Sequence, residues 1–246
     1  MAAGGDGVMA SSIPHQIGAW FTTWSNFTGS DGAFVRLGQH VEISLESVAI
    51  AAAIAVPVGV ALARARRGGL IVTTLANGAR AIPILGVLIL LAVGPFGVGT
   101  TAAVVALVIF AIPPMLTNTY TGVRQVDADV RDAAVGMGLT TWQIMLRVEL
   151  PLAVPLIATG VRLATVQVWA TATLSALVGS GGLGELIVTG FGIADYGQLY
   201  GGVILVAASA IAIDALLAGS ERRIRRRYGG APVQPARLWR RRVQPV

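Results

Sequence analysis

The sequence predicts an all-α fold, a polytopic bundle of about five transmembrane helices, and three observations carry that prediction. Of 246 residues, 54% are hydrophobic and only 12% charged, with mean hydropathy +0.73, whereas soluble domains carry about 25% charged residues. Five apolar runs have the roughly 20 residues that a bilayer crossing needs. Arginines occupy alternate connections between those runs, as the positive-inside rule requires.

Composition also excludes several classes. There is no cysteine, so disulfides and thiolate metal sites are out of reach. All 18 basic residues are Arg and the net charge is +6. A basic balance can signal nucleic acid, but here the arginines bunch beside apolar runs and in the tail, which is membrane sorting rather than a nucleic-acid surface. No Walker loop and no His or Cys metal cluster is present, so the chain is not expected to be an enzyme.

In chain order, residues 1–40 form a leader, 41–220 a transmembrane domain and 221–246 an Arg-rich tail. Within the leader, Ile17, Trp20, Phe21, Trp24 and Phe27 recur at helical spacing, which predicts a helix lying in the membrane interface. The spans are predicted at 43–63, 71–93, 100–120, 152–178 and 199–218. Arg64, Arg66 and Arg67 follow the first span, and Arg124, Arg131 and Arg147 lie between the third and fourth. Gly94–Gly99 and Gly179–Gln198 hold no Arg. The N-terminus is therefore placed outside and the C-terminus inside. Tail arginines directly after a span suit anchoring to anionic lipid. Pro57, Pro83, Pro113, Pro114 and Pro155 fall within spans, where neighbouring helices can satisfy the carbonyls they free.

Residues 122–151, on the inner side, are the most informative segment. Asp127 is placed to cap a short helix whose stripe is Val126, Val130, Ala133, Ala134 and Met137. Gly138 suits a left-handed stop. Thr140 and Gln143 form a capping box for a second short helix, and Pro151 suits the first turn of the next span. Two helices joined by a glycine corner make a rigid knob.

Asp132-Ala133-Ala134, three residues, Gly138, nine residues and Val148-Glu149-Leu150-Pro151 resemble the EAA motif of ABC importer permeases, with Asp132 for Glu and Val148 for Ile. Further segments are similar to permeases for glycine betaine, carnitine and choline. They include Gly122 to Asp127, Leu152 to Pro155, Asn118 to Gly122, His40 to Ala63 and Gly179-Ser180-Gly181-Gly182-Leu183-Gly184. The resemblance implies the type I importer architecture in a bacterial cytoplasmic membrane, and a conduit for an osmoprotectant. It implies three partners: a dimer of ATP-binding subunits, a second permease subunit (identical or paralogous) and an extracytoplasmic solute-binding protein. ATP and Mg would be held by the ATPase, with no cofactor in this chain. Asp132, Ala133, Ala134, Gly138, Leu150 and Pro151 would form the ATPase-coupling contact. Methionine-type amino-acid permeases share much of the pattern, and a secondary transporter or channel is the alternative outside the class.

Gly179 to Gly184 also satisfies the Gly-x-Gly-x-x-Gly fingerprint, but between two spans it cannot be the dinucleotide turn of a βαβ unit. By resemblance, Gly181, Gly182, Gly184 and Glu185 would lie at the external gate, with Glu185 and Asp195 available to a binding protein. Arg80 and Arg162 fall inside spans, where a charge usually faces a cavity or a partner. With Pro83 and Trp169 they are candidates for the translocation path or a subunit interface. Glu42 and Glu46 sit at the outer mouth of the first span and read as a wetted helix end.

Overall fold

A computed structural model describes residues 5–65 and 68–228, apart from the side chains of residues 5–12 and of Arg80. The expectations for Arg66, Arg67, the Arg80 side chain and the tail beyond Tyr228 lie outside the described residues.

The elements in order are α1 (Gly5–Thr22), α2 (Ala33–Arg64), α3 (Gly68–Ala81), α4 (Ile84–Val93), α5 (Thr100–Arg124), α6 (Ala128–Gly136), α7 (Thr141–Ile144), α8 (Leu150–Thr171), α9 (Gly184–Gly192) and α10 (Tyr196–Tyr228). A π turn at Met145–Glu149 joins α7 to α8, and a 3₁₀ segment, Ala172–Val178, continues α8 outward. Thr141–Val178 is thus one helical rod of 38 residues. By length and hydropathy, α2, α5, this rod and α10 can each cross a membrane, and the bent pair α3–α4 brings the number to five.

The core is where α2, α5 and α8 meet, around Ala51, Ala55, Leu107, Ala111, Met115 and Ala164. Small residues set the spacing. A Cβ on Gly59 would lie 2.8 Å from the Cβ of Thr119, and one on Gly160 would lie 2.7 Å from the Cβ of Asn118. Close backbone approach of this kind is how membrane helices gain packing energy without a hydrophobic drive between them.

The structure departs from the sequence expectations at three places. The second span is not one helix: α3 and α4 meet at 82°, and Pro83 is the extended N-cap of α4. Pro83 cannot donate to the preceding turn, so the helix ends there. The apolar stripe of the leader is not all free to face the membrane interface. Trp20 is 6% exposed in a cluster with Ala33, Leu183 and Leu186, and a Cβ on Gly201 would touch its ring at 2.5 Å. α1 therefore packs on α10, while Trp24 stays exposed. Finally, α2 begins at Ala33 and α10 ends at Tyr228, so the boundaries at 40 and 220 both fall within continuous helices.

Candidate functional site

The inner knob has the local structure its residues dictate. The Asp127 carboxylate accepts from the Asp129 N–H at 3.0 Å and caps α6. Gly138, at φ +79°, ends the helix. Its N–H donates to the Val135 carbonyl at 2.9 Å, and the Leu139 N–H reaches the Ala134 carbonyl at 3.2 Å, the paired bonds of a Schellman stop. Thr140 and Gln143 exchange both bonds of the capping box that starts α7. Past α7, the Leu150 N–H reaches back to Met145 and closes the π turn just ahead of Pro151. The second knob helix is therefore continuous with α8 and not a separate piece.

Glu149 ties the knob to the bundle. It is 5% exposed and accepts from Arg131 Nε at 2.9 Å and from Arg64 Nη2 at 2.7 Å. Arg131 also donates to the Val123 carbonyl at 2.7 Å, at the end of α5. Arg64, the last residue of α2, donates to the Thr141 carbonyl at 3.3 Å. One buried carboxylate thus joins α2, α5, α6 and the α8 rod. Arg64, Arg124 and Arg131 gather around one cavity of about 520 Å³ at this end, in keeping with a single arginine-bearing membrane side.

The outer surface of the knob is left uncovered. Of the expected stripe, only Val126 and Ala134 are buried; Val130, Ala133 and Met137 are exposed. Met137 is 73% exposed and Trp142 65%, with Val135 and Leu146 beside them in the sequence also exposed. Asp132 and Gly138 share this exposed surface, and among the described residues Asp132 makes no ion pair. The knob thus carries exposed apolar side chains and three exposed acids, Asp127, Asp129 and Asp132, on a rigid mount.

The family described as the binding-protein-dependent transport system inner membrane component matches residues 55–229. The chain belongs to that family. It is 37% identical over 189 residues to the glycine betaine/carnitine/choline transport system permease protein OpuCB of Bacillus subtilis (strain 168), covering 77% of this chain and 87% of that one. It is likewise 37% identical over 186 residues to the choline transport system permease protein OpuBB of the same organism, covering 76% and 85%. The osmoprotectant import permease protein OsmY of Salmonella typhimurium is 39% identical over 153 residues, covering 62% of this chain and 64% of that one. In fold, it is similar to an inward-facing structure of the MetNI methionine ABC transporter, with TM-score 0.68 at 22% identity over 78% of this chain and 95% of that one. The protein is therefore an ABC importer permease, a multi-pass membrane protein that groups by sequence with the glycine betaine, carnitine and choline permeases.

The remaining expected residues of this permease fall into other roles. Arg162 faces α10 and not an open vestibule. Its guanidinium forks onto Asp214 at 2.9 and 3.0 Å and reaches Glu221 at 3.0 Å. Glu221 also accepts from Thr159 and from Arg225, each at 2.7 Å. Trp169 is 2% exposed. Its Nε1 donates to Ser209 at 3.1 Å, and its carbonyl is 3.0 Å from His40 Nε2. It pins α8 to α10 and to α2 from a buried position.

At the outer end, Gly181, Gly182 and Gly184 are buried and do not form a free loop. The Gly182 N–H donates to Gln39 at 3.0 Å. Positive φ at Gly179, Gly181 and Gly182 lets the turn fold onto α2. Glu185 is half-exposed, and Asp195 accepts from the Gln198 N–H at 3.0 Å, which caps the start of α10. Glu42 and Glu46 are exposed but do not mark a helix end, since α2 begins at Ala33 and runs through both.

Sequence reasoning missed Glu149, which occupies the unspecified position of the motif, and it missed Asp214 and Glu221. A carboxylate next to the motif's Leu-Pro and an acid within an apolar run were the available signals.

Proposed function

We propose that this permease forms the path for a quaternary ammonium compatible solute and is driven by separate ATP-binding subunits that grip the α6–α7 ledge. The observation that carries the reading is the ledge itself: exposed apolar side chains beside Asp132 and Gly138, clamped to three spans through Glu149. Displacing α7 moves the α8 rod directly, because the two are one helix. The Arg64 and Arg131 contacts carry the same displacement to α2 and α5.

In this reading two permease chains, identical or paralogous, sit over two ATPase subunits that hold ATP and Mg. Closure of the ATPase pair draws the ledges together and opens the conduit outward to an extracytoplasmic solute-binding protein. Hydrolysis resets it inward. Asp132, Ala133 and Gly138 lie at the ATPase contact; Ala134, expected there too, is 1% exposed and packs inward, so it stands behind the contact with Leu150 and Pro151. The solute class is supported by the substrates for which the similar permeases are named, glycine betaine, carnitine and choline.

The test is co-purification with the ATPase, together with ATP-driven uptake of labelled glycine betaine. A Cβ at Gly138 meets nothing within 4 Å, but φ is +79°, so Gly138→Trp adds both outward bulk and local backbone strain at the corner and should lose the ATPase. Gly138→Asn, which tolerates the left-handed backbone, should keep it. Retention of the ATPase by Gly138→Trp would refute the docking assignment. Uptake of methionine and of no quaternary ammonium would refute the solute class.

A further inference from the structure

The cavity behind the knob carries positive charge that Glu149 does not neutralise. It occupies about 520 Å³ among the ends of α2 and α5 and the helices α6 and α7, with Arg64, Arg124, Arg131 and Glu149 in its wall beside Val135 and Ile144. Small-ligand pockets span roughly 300–1,000 Å³. Arg64 and Arg124 are the last residues of α2 and α5. Both follow closely on apolar spans, so the cavity sits at the depth of the inner lipid head groups.

Three guanidiniums against one carboxylate leave two positive charges in excess in the wall. Asp127, Asp129 and Asp132 are exposed and line no part of the cavity. Glu149 is already committed, with Oε2 accepting from Arg64 and Oε1 from Arg131. Arg64 donates only through Nη2, and Arg131 only through Nε and Nη2. Each therefore keeps N–H groups that no protein acceptor takes. The Arg124 guanidinium has no hydrogen bond or ion pair among the described residues.

Arginines spread over an open face are served by water. Here they gather around buried Ala63, Val123 and Ile144, where their mutual repulsion is relieved by an anion. A guanidinium forks onto the oxygens of a phosphate, and three of them can share its separate oxygens. Basic pockets between spans on the cytoplasmic side suit anionic head groups for the same reason. We propose that this cavity binds a phosphate group, carried by an anionic phospholipid or by a free phosphate ester. The bound group ties Arg124, at the end of α5, to the two arginines that Glu149 already holds. The inference goes beyond the proposed function and depends on neither the solute nor the ATPase contact.

The test follows the melting temperature of the full-length permease in a neutral detergent. Short-chain phosphatidylglycerol, short-chain phosphatidylcholine and inorganic phosphate are each titrated in. Phosphatidylglycerol or phosphate should raise the melting temperature saturably, and phosphatidylcholine should not. Arg124→Gln breaks no side-chain contact within the described residues, so its unliganded melting temperature should match the wild type. Its half-saturation concentration should rise about fivefold, the effect of one arginine beside an anionic group. Arg147→Gln, exposed and outside the cavity wall, should leave half-saturation unchanged, which separates the cavity from the general basic surface and the tail. A response to phosphatidylglycerol alone identifies a lipid, and an equal response to inorganic phosphate identifies a free phosphate ester. No response to either, an equal response to phosphatidylcholine, unchanged half-saturation in Arg124→Gln, or equal weakening by Arg147→Gln overturns the proposal.

Discussion

At the inner end of the permease, helices are joined by charge. Glu149 holds Arg64 from α2 and Arg131 from α6, and a surface of exposed apolar residues lies beyond them. At the outer end, helices are joined by the absence of side chains. Gly182 hydrogen-bonds Gln39 of α2, a Cβ on Gly181 would lie 2.5 Å from the same side chain, and one on Gly184 would run into the Thr173 carbonyl. Ion pairs between long side chains can shift and re-form while staying engaged. Glycine contacts either fit or do not. The inner end is thus suited to receive displacement from a partner, and the outer end to hold or release a closed seam.

The most damaging change should be at the inner clamp. Glu149→Ala leaves two arginines facing a buried site, and truncating one member of such a pair costs about 3 kcal/mol; both arginines keep some solvent, which holds the cost at that lower end. The expected result is a lower melting temperature in detergent and loss of ATP-driven uptake, with Glu149→Gln intermediate. Unchanged uptake in Glu149→Ala would mean that the clamp transmits nothing. The outer seam should respond less. Gly184→Ala presses a methyl against backbone, an overpacking cost of about 1–3 kcal/mol. Here the melting temperature should fall while ATPase binding persists. Loss of ATPase binding in this variant would erase the contrast between the two ends.

Much of this was legible from local chemistry. Asp127, Gly138 and the Thr140–Gln143 box are each specified within a few residues, and each forms as its sequence demands. Four of the five crossings follow from apolar length alone. What escaped depends on residues far apart in the chain. Arg162 finds Asp214 52 positions away and Arg64 finds Glu149 85 away, and no periodicity encodes such pairs. Trp20 has the spacing of an interfacial residue, yet Gly201 makes a berth for it. Pro83 resembles the other span prolines, but those lie within a continuing helix, whereas at Pro83 the chain turns by 82°.

The central claim is that the ledge belongs to a partner and contributes little to this chain's own stability. Met137 and Trp142, 73% and 65% exposed, can be replaced together by Met137→Asp and Trp142→Asp, and ATPase binding measured beside the melting temperature. The account predicts an unchanged melting temperature and lost ATPase binding. ATPase binding at wild-type strength would contradict it.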